Sequence, residues 1–185
     1  DGDDDSPNFF QEASAGFRTI AGDSGLTLVT LAACVQTVIA GRHAAVSTAC
    51  ERMTAAGAKR VVALDVSAPF HCELMAPAME KLAPELEAAR FSALRVPVVS
   101  NVDAQPYADA ATARLRLREQ VCAPVRWVDC VKRLILAGAK LELEVGPGKV
   151  LSGLAAKIDR SFARANVEKL EDLDPALARA AEACA

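Results

Sequence analysis

The stretch Val-Val-Ala-Leu-Asp-Val-Ser-Ala-Pro-Phe-His-Cys-Glu-Leu-Met, from Val61 to Met75, decides how the rest of the chain is interpreted. Its first part, up to Val66, is apolar and rich in β-branched residues, which predicts a buried or half-buried strand. Pro69 ends any ladder, because proline has no N–H to donate. His71 therefore stands where a strand gives way to a helix. That position suits a catalytic base, and it equally suits a polar or capping histidine without a catalytic role.

Length and composition indicate one domain of ordinary size, or one and a half small ones, in a chain of 185 residues. The hydrophobic fraction is 52%, with much alanine and only 4% aromatic residues, which predicts a core of aliphatic side chains. The net charge of −3 comes from 21 basic and 24 acidic residues. This composition has no excess of basic residues of the kind that favours nucleic-acid binding, so we predict no nucleic-acid partner.

The six cysteines form no C-x-x-C pair and do not stand at zinc-finger spacing from the two histidines. They predict free, mostly buried thiols in a reducing compartment, and no bound metal. The longest apolar stretch, Leu26 to Ala40, has fifteen residues, which is short for a membrane span and predicts core instead. The chain opens with acidic residues rather than a basic leader, so we predict no membrane partner and no secretion.

The N-terminal third is predicted to contain a loose lead-in followed by alternating elements. Residues 1–25 form the lead-in, with a short helix around 9–17. A strand over 26–40, a helix over 43–56 and the strand over 61–66 come next. The buried side of the helix and its stop are predicted at Ala45, Val46, Ala49, Cys50, Met53 and Gly57. This order fits a parallel βαβ unit or an antiparallel ferredoxin-like arrangement.

The remaining chain predicts mostly helices. They are a helix over 72–89 that Pro84 kinks or divides, a strand over 96–99, helices over 110–121 and 125–137, a strand over 140–145, a helix over 150–158, and an amphipathic or frayed helix in the tail over 166–185. The arginines of the helix over 110–121 predict a solvated face. Gly146-Pro147-Gly148-Lys149 joins a strand to a helix, and it predicts either an anion site at the helix N-terminus or a tight connection without a ligand.

Five segments, in this order, resemble the malonyl-CoA:acyl carrier protein transacylases of fatty acid synthesis and the related acyltransferase domains of polyketide synthases. They are Val38-Ile39-Ala40-Gly41, Val66-Ser67-Ala68-Pro69-Phe70-His71, Pro97-Val98-Val99-Ser100-Asn101-Val102-Asp103, Gln120-Val121-Cys122-Ala123-Pro124-Val125-Arg126-Trp127 and Glu144-Val145-Gly146-Pro147-Gly148-Lys149-Val150-Leu151. Each segment alone is a weak signal. Together they cover about residues 36–160, and the run from Asn101 to Tyr107 looks especially like plastid and cyanobacterial members.

The resemblance implies an α/β fold, namely the C-terminal part of an α/β-hydrolase-like acyltransferase domain with part of its inserted ferredoxin-like subdomain. By this reasoning 1–25 is an uncertain lead-in, and 26–66 is a partial ferredoxin-like small subdomain. The C-terminal part of the large subdomain covers 67–165, and 166–185 is a C-terminal tail. An unrelated α/β domain with chance matches is the remaining structural alternative.

The resemblance also implies a ping-pong reaction. A serine takes malonyl from malonyl-CoA, and the phosphopantetheine thiol of acyl carrier protein then collects it. His71 matches the catalytic histidine of the family, the base that takes the serine proton. Gln120 matches the residue whose main-chain carbonyl orients the imidazole. Phe70 stands where malonyl-selective members carry Phe and methylmalonyl-selective members often carry Ser, and no cofactor is implied beyond the two substrates.

This chain departs from the family pattern at the nucleophile. None of its nine serines stands in a G-x-S-x-G elbow, and Ser24 comes nearest. No arginine can be assigned by motif to the clamp on the malonyl carboxylate. The family's Asn-rich Ser-Pro-Gly turn is replaced by Leu-Ala-Ala-Cys-Val ahead of Gln36. We therefore predict that this chain supplies the histidine but not the serine, and that it is inactive alone.

These departures lead to predictions about partners and location. Acyl carrier protein, malonyl-CoA and a missing N-terminal half are the predicted partners, and exposed sheet edges predict instability or association. The predicted location is cytoplasmic or inside a plastid or mitochondrion, with the plastid favoured by the resemblance. The alternative function is a non-catalytic relative that binds carrier protein or a partner subunit, with the helix bearing Arg114, Arg116 and Arg118 as one candidate surface.

Overall fold

The computed structural model describes residues 26–33, 36–64 and 66–185. Its strands and helices alternate in an α/β arrangement, which agrees with the predicted fold class. In chain order the elements are β1 (Leu26–Ala33), β2 (Gln36–Gly41), α1 (His43–Ala55), a 3₁₀ turn (Glu73–Met75), α2 (Ala76–Ala88), α3 (Ala110–Glu119), α4 (Trp127–Leu136), β3 (Leu141–Val145), α5 (Val150–Ile158), β4 (Ala163–Val167), a second 3₁₀ turn (Leu170–Asp172) and α6 (Leu173–Cys184). The predicted lead-in over 1–25, with its helix around 9–17, lies outside the described residues.

The first apolar stretch forms an antiparallel hairpin rather than the single strand predicted over 26–40. Strands β1 and β2 pair from Leu26 opposite Gly41 to Ala33 opposite Gln36. A single strand of this length would exceed the usual five or six residues, and folding back pairs its N–H and C=O groups with each other. The prediction of one strand was therefore wrong, although its apolar and β-branched content did indicate sheet.

Helix α1 confirms the prediction made from its periodicity. Ala49 is fully buried, and the other four residues predicted for the same side are half-buried. The helix is followed by Gly57 with φ of +89°, the left-handed conformation in which glycine has no steric penalty. The N–H of Ala58 bonds back to the carbonyl of Met53 at 3.0 Å. The glycine stop therefore satisfies carbonyls that the end of a helix leaves without partners.

Two predicted strands are absent from the described residues. The described part of 61–66 makes no ladder, and within 96–99 only Val99 forms an isolated bridge, to Pro106. Most of the valines in both segments are exposed. A β-branched run becomes a strand only when another strand pairs with its backbone, and the described part of the chain places none beside these segments. Both predictions were wrong for this reason.

Pro84 lies inside helix α2, which runs undivided from Ala76 to Ala88, so of the predicted kink or division the division did not occur. Proline removes one intrahelical hydrogen bond, the one that would reach the carbonyl of Glu80. Glu80 is exposed, so water can satisfy that carbonyl. The helix begins one 3₁₀ turn after His71, at Ala76, and ends at Ala88.

Helix α3 carries arginines that contact the protein, which corrects the prediction of a simple solvated face. Arg114 donates to the carbonyls of Leu86 and Ala89 at 3.2 and 3.1 Å, at the end of α2. Its guanidinium also lies over the ring of Phe91, 4.6 Å from the centroid. Arginine suits this position because its planar fork bonds two carbonyls and stacks on an aromatic face. Arg114 therefore joins α2 to α3.

The C-terminal region contains a βαβ unit in which β3 and β4 are parallel and α5 connects them. The register runs from Leu141 opposite Ala163 to Val145 opposite Val167. Strand β4 was not predicted, because residues 159–165 were assigned no element and 166–185 were assigned to the tail. The predicted tail helix is present but shorter, since α6 covers only Leu173–Cys184.

One core cluster lies beneath this unit. It consists of Val131, Ala155 and Phe162, all buried, and Trp127, Ile135, Ala139 and Ile158 pack against it. The buried hydrophobic residues elsewhere are mostly alanine, valine and cysteine. The prediction of a core of aliphatic side chains is confirmed for most of these residues, but Phe162 is buried among them and Trp127 packs against the cluster. The cluster packs α4, α5 and the start of β4 against one another.

Candidate functional site

His71 and Gln120 are brought together by the fold, although 49 positions separate them in sequence. The Nδ1 atom of the imidazole lies 2.9 Å from the main-chain carbonyl oxygen of Gln120. The histidine is half-buried, and this contact holds the Nδ1 edge of its ring. The structure therefore favours a held and oriented histidine over a solvent-facing residue at a helix start.

The hydrogen bond sets the tautomer of the neutral imidazole. A carbonyl oxygen accepts only, so Nδ1 must carry the proton and donate it to Gln120. The other ring nitrogen, Nε2, then has a free lone pair. A neutral imidazole in this state can take a proton from a hydroxyl or thiol placed on its Nε2 side. This geometry is that of a general base.

The carbonyl of Gln120 is available because it stands at the end of α3. The last carbonyls of a helix have no intrahelical partner, and Gln120 is the C-cap residue, whose own N–H bonds to the carbonyl of Arg116 at 2.9 Å. The C-terminal end of a helix also carries partial negative charge. The helix end thus holds the imidazole of His71 through a main-chain carbonyl.

The backbone of His71 adopts an unusual conformation for a residue with a side chain. Its φ is +61°, in the left-handed region. Such a conformation costs free energy and persists only where the surroundings hold it. Cys72 is 1% exposed, and its Sγ donates to the carbonyl of Pro69 at 3.0 Å. Neighbouring residues therefore point in different directions, with the thiol inward and the imidazole toward Gln120.

Phe70 precedes this turn and is 47% exposed. Its N–H bonds to the carbonyl of Ala68 at 3.0 Å, which tightens the chain just before His71. The exposed ring stands next to the histidine in sequence, as the predicted contact with an acyl group requires. Its role in substrate binding stays a prediction.

The residues on either side of Gln120 contact the loop over 100–105. Arg126 donates its N–H to the carbonyl of Asn101 at 2.9 Å. Asp103, in the same loop, lies against Arg116 of α3, with Nε and Oδ2 separated by 2.8 Å. The loop itself is closed by the N–H of residue 100 on the carbonyl of Gln105 at 2.9 Å. From the sequence, Asn101, Asp103 and Arg126 were known only as letters of the family segments, and Arg116 only as part of a candidate docking surface.

The glycine turn over 146–149 is a tight connection, and its helix N-terminus is already occupied by a carboxylate. Glu144 accepts from the N–H of Leu151 at 3.1 Å and from the N–H of Ser152 at 2.8 Å. It also accepts from the hydroxyl of Ser152 at 2.6 Å and from the side chain of Asn166 at 3.0 Å. These bonds, the Ser152 hydroxyl first, lower the pKa of Glu144 below its ordinary 4.5. The alternative of an anion site there is therefore not supported.

The cysteines near the site have the properties of unreactive thiols. Burial raises the pKa of Cys130 to about 11, and burial likewise raises the pKa of Cys122. In residues 26–33, 36–64 and 66–185, no group of three or more His, Cys, Asp or Glu side chains is placed to hold a metal ion. No described helix is long and apolar enough to cross a membrane.

Comparisons with known proteins connect this geometry to one family, although no family model matches the chain. A relative from Bacillus subtilis (strain 168), named malonyl CoA-acyl carrier protein transacylase, is 42% identical over 142 residues. The match covers 77% of this chain and 45% of the relative, so the chain spans about half the length of the curated relatives it matches.

Solved structures give the same result. The acyl-carrier-protein S-malonyltransferase of Burkholderia pseudomallei 1710b matches with a TM-score of 0.84 at 38% identity, over 89% of this chain and 55% of that one. A holo type II PKS acyl-carrier protein in complex with its malonyl-transacylase gives 0.84 at 38% identity, over 91% and 54%. By sequence and by fold, the chain belongs to the malonyl CoA-acyl carrier protein transacylase family.

Proposed function

We propose that the protein containing this chain transfers malonyl from malonyl-CoA to the phosphopantetheine thiol of acyl carrier protein. The observation that carries the proposal is the 2.9 Å contact between His71 Nδ1 and the Gln120 carbonyl. It leaves Nε2 as the proton acceptor that both halves of a ping-pong transfer require. Membership of the family supports the choice of malonyl and of a carrier-protein acceptor.

The proposed reaction has two acyl transfers that use His71 in the same way. A serine hydroxyl gives its proton to Nε2 as its oxygen attacks the thioester carbonyl, and the C–S bond breaks. The imidazolium returns the proton to the departing CoA sulfur, which leaves malonyl on the serine. In the second half the phosphopantetheine thiol gives its proton to Nε2 and attacks the ester, and the serine oxygen then recovers the proton. The Gln120 carbonyl holds the ring throughout and stabilises each imidazolium.

The nucleophile is proposed to come from outside this chain, because none of its serines has the elbow motif. The exposed apolar segments support this proposal. Leu64 is 60% exposed and Val96 67%, although both belong to the runs that predicted strands. A surface of this kind is typical of residues that another segment covers. The N-terminal half of the family domain is the partner that we propose to cover it.

The finer assignment of the fold follows from the same proposal. Residues 26–66 would form part of a ferredoxin-like small subdomain, and 67–165 the C-terminal part of the large subdomain. Residues 166–185 would be the C-terminal tail, with 1–25 as lead-in. The β1–β2 hairpin followed by α1 supports the first assignment, because a hairpin and a helix in this order occur within a ferredoxin-like unit.

No cofactor is needed for this chemistry, which uses only the two thioester substrates. The predicted location, in the cytoplasm or inside a plastid or mitochondrion, stays a prediction. The alternative of a non-catalytic binding module is less well supported. Two of the three arginines proposed for its docking surface, Arg114 and Arg116, are engaged in contacts within the chain. Only Arg118 of the three is exposed.

The proposal is tested by combining this chain with a separately expressed N-terminal half that carries the serine elbow, such as that of the Bacillus subtilis relative. We expect no malonyl adduct by intact mass when the chain alone meets malonyl-CoA, and transfer to holo acyl carrier protein when the halves are mixed. A malonyl adduct on a serine of this chain would overturn the claim that the nucleophile lies outside it. Tight carrier-protein binding without turnover in the mixture would favour the binding module.

Changing Phe70 tests the assigned substrate contact. We expect Phe70→Ser to increase the rate with methylmalonyl-CoA relative to malonyl-CoA by roughly tenfold, because removing a ring makes room for one extra methyl group. The ratio of kcat/KM values for the two substrates in the mixture measures this. Phe91→Ser is the matched control, since the structure records the contact of that ring with Arg114. An unchanged ratio in Phe70→Ser would remove this residue from the site.

A further inference from the structure

We propose that Arg116 is a positioning residue that holds the Gln120 carbonyl against His71 through its ion pair with Asp103. The inference rests on the proposed function of His71. Arg116 does not touch the imidazole. Its side chain instead joins the end of α3, which carries Gln120, to the loop over 100–105.

Both ends of the segment 116–126 are tied to that loop. At one end, Arg116 Nε lies 2.8 Å from Asp103 Oδ2. At the other, the N–H of Arg126 bonds to the carbonyl of Asn101 at 2.9 Å. Gln120 lies between these two ties, in the turn that ends the helix. Its carbonyl position relative to His71 therefore depends on both.

The loop is a rigid partner for these ties. Asp103 uses its second oxygen, Oδ1, to accept the N–H of Gln105 at 3.1 Å. The hydroxyl of Ser100, a residue 1% exposed, accepts the N–H of Val102 at 3.1 Å. Ala104 stands at φ of +57°, a conformation that persists only where the surroundings hold it. A carboxylate held in this way fixes the guanidinium that it faces.

The contact of Arg116 with Asp103 is an ion pair rather than a directed hydrogen bond. The separation is 2.8 Å, but the Nε–H does not point at the carboxylate well enough to form one. A second ion pair, from Nη1 to Glu119 Oε2 at 2.6 Å, is within the same helix and cannot hold the helix to the loop. Charge and reach therefore matter more at position 116 than the planar fork of arginine, and lysine should replace it in part.

Imidazole nitrogen NMR on the full chain tests the proposal directly. The chain has only two histidines, and His43 serves as an internal reference. At a pH where His71 is neutral, we expect the Nδ1–H tautomer to dominate in the wild type. In Arg116→Gln we expect a roughly fivefold fall in the ratio of Nδ1–H to Nε2–H, the order expected when one hydrogen bond is weakened. Arg116→Lys should recover most of the ratio.

Two further variants make the result decisive. Asp103→Asn keeps an oxygen for the Gln105 N–H but loses the charge, so it should reproduce the effect of Arg116→Gln. Arg118→Gln removes an exposed arginine from the same helix and should leave the ratio unchanged. An unchanged ratio in both Arg116→Gln and Asp103→Asn would overturn the proposal. Loss of circular dichroism in both would also overturn it, because the ion pair would then hold the fold rather than the turn.

The experiments distinguish failure of this positioning role from failure of the proposed function. A tautomer shift in Arg116→Gln with full transfer activity in His71→Ala would leave the positioning role standing and remove the catalytic one. Transfer that requires His71, together with an unchanged tautomer ratio, would do the reverse. If both proposals hold, Arg116→Gln should lower kcat in the mixed-half assay by roughly tenfold with little change in KM, since the ring orientation and not substrate binding is disturbed.

Discussion

His71→Ala is expected to remove malonyl transfer from the mixture of this chain with a serine-bearing N-terminal half. The loss should be on the order of 10²–10⁴-fold in kcat/KM, the usual contribution of a positioned general base. Without Nε2, neither the serine nor the phosphopantetheine thiol has an acceptor for its proton. The rate of appearance of malonyl-carrier protein measures the loss, and intact mass of the serine-bearing half shows whether the first transfer has stopped.

Gln120 supplies the sharpest control, because the structure assigns the contact to its main chain. Gln120→Ala keeps the carbonyl and should retain activity within about threefold of wild type, since only a half-buried side chain is lost. His43→Ala, at the start of α1, should likewise have no effect. A large loss in Gln120→Ala would show that the amide side chain acts, and full activity in His71→Ala would contradict the proposed function.

The features that were predicted well from the sequence are those that depend on residues close together in the chain. The stop of α1 at Gly57 needs only a glycine in the left-handed region. The predicted start of α3 at residue 110 is also local, since the Asp109 carboxylate accepts the N–H of Thr112 at 2.7 Å, although this cap was not itself predicted. The segments over 61–66 and 96–99 have strong β propensity, yet their described residues form no strand. Pairing depends on a second strand from elsewhere, and no local pattern contains that information.

The residues of the candidate site differ in the same respect: some have a local sequence signal and others depend on contacts between distant segments. His71 could be singled out from its place after Pro69, but chemistry alone left its role open. Gln120 carries no chemical signal at all, because its task belongs to a main-chain carbonyl that every residue has, and it was found only through the family resemblance. The contacts of Glu144 with residues 151, 152 and 166 depend on how β3, α5 and β4 pack together. Such contacts become visible only in three dimensions.

Glu144→Gln is expected to destabilise the chain by about 1–2 kcal/mol near neutral pH, the typical cost of losing a helix cap. The wild-type carboxylate accepts four hydrogen bonds, from two N–H groups, the Ser152 hydroxyl and the Asn166 amide. Glutamine has only one acceptor oxygen, and its NH₂ group would face donors that the carboxylate now accepts from. Ser152 is 6% exposed, so water cannot easily satisfy the donors that are released. The melting temperature should fall by about 2–8 °C.

The pH dependence identifies the carboxylate as the cause. The pKa of Glu144 in the folded protein is lowered from its ordinary 4.5, so the ionised group contributes stability that is fully present above about pH 5. This contribution is lost as the pH falls through the lowered folded pKa. The difference in unfolding free energy between wild type and Glu144→Gln should therefore narrow below pH 4.5, as urea titrations at several pH values will show. A constant difference would mean that shape rather than charge is responsible.

Glu142 is the matched control, because it lies on the same strand and its shift has the opposite sign. Burial raises the pKa of Glu142, the neighbouring charge of Glu144 raises it further, and one of its oxygens is buried without a hydrogen bond. An ionised carboxylate in such a place destabilises the fold at pH values above its folded pKa. Glu142→Gln should thus be neutral or stabilising near pH 7, and its advantage should shrink as the pH falls and the wild-type carboxyl takes up a proton. Opposite effects from two glutamates two residues apart would show that β3 presents one charge to a helix N-terminus and buries the other.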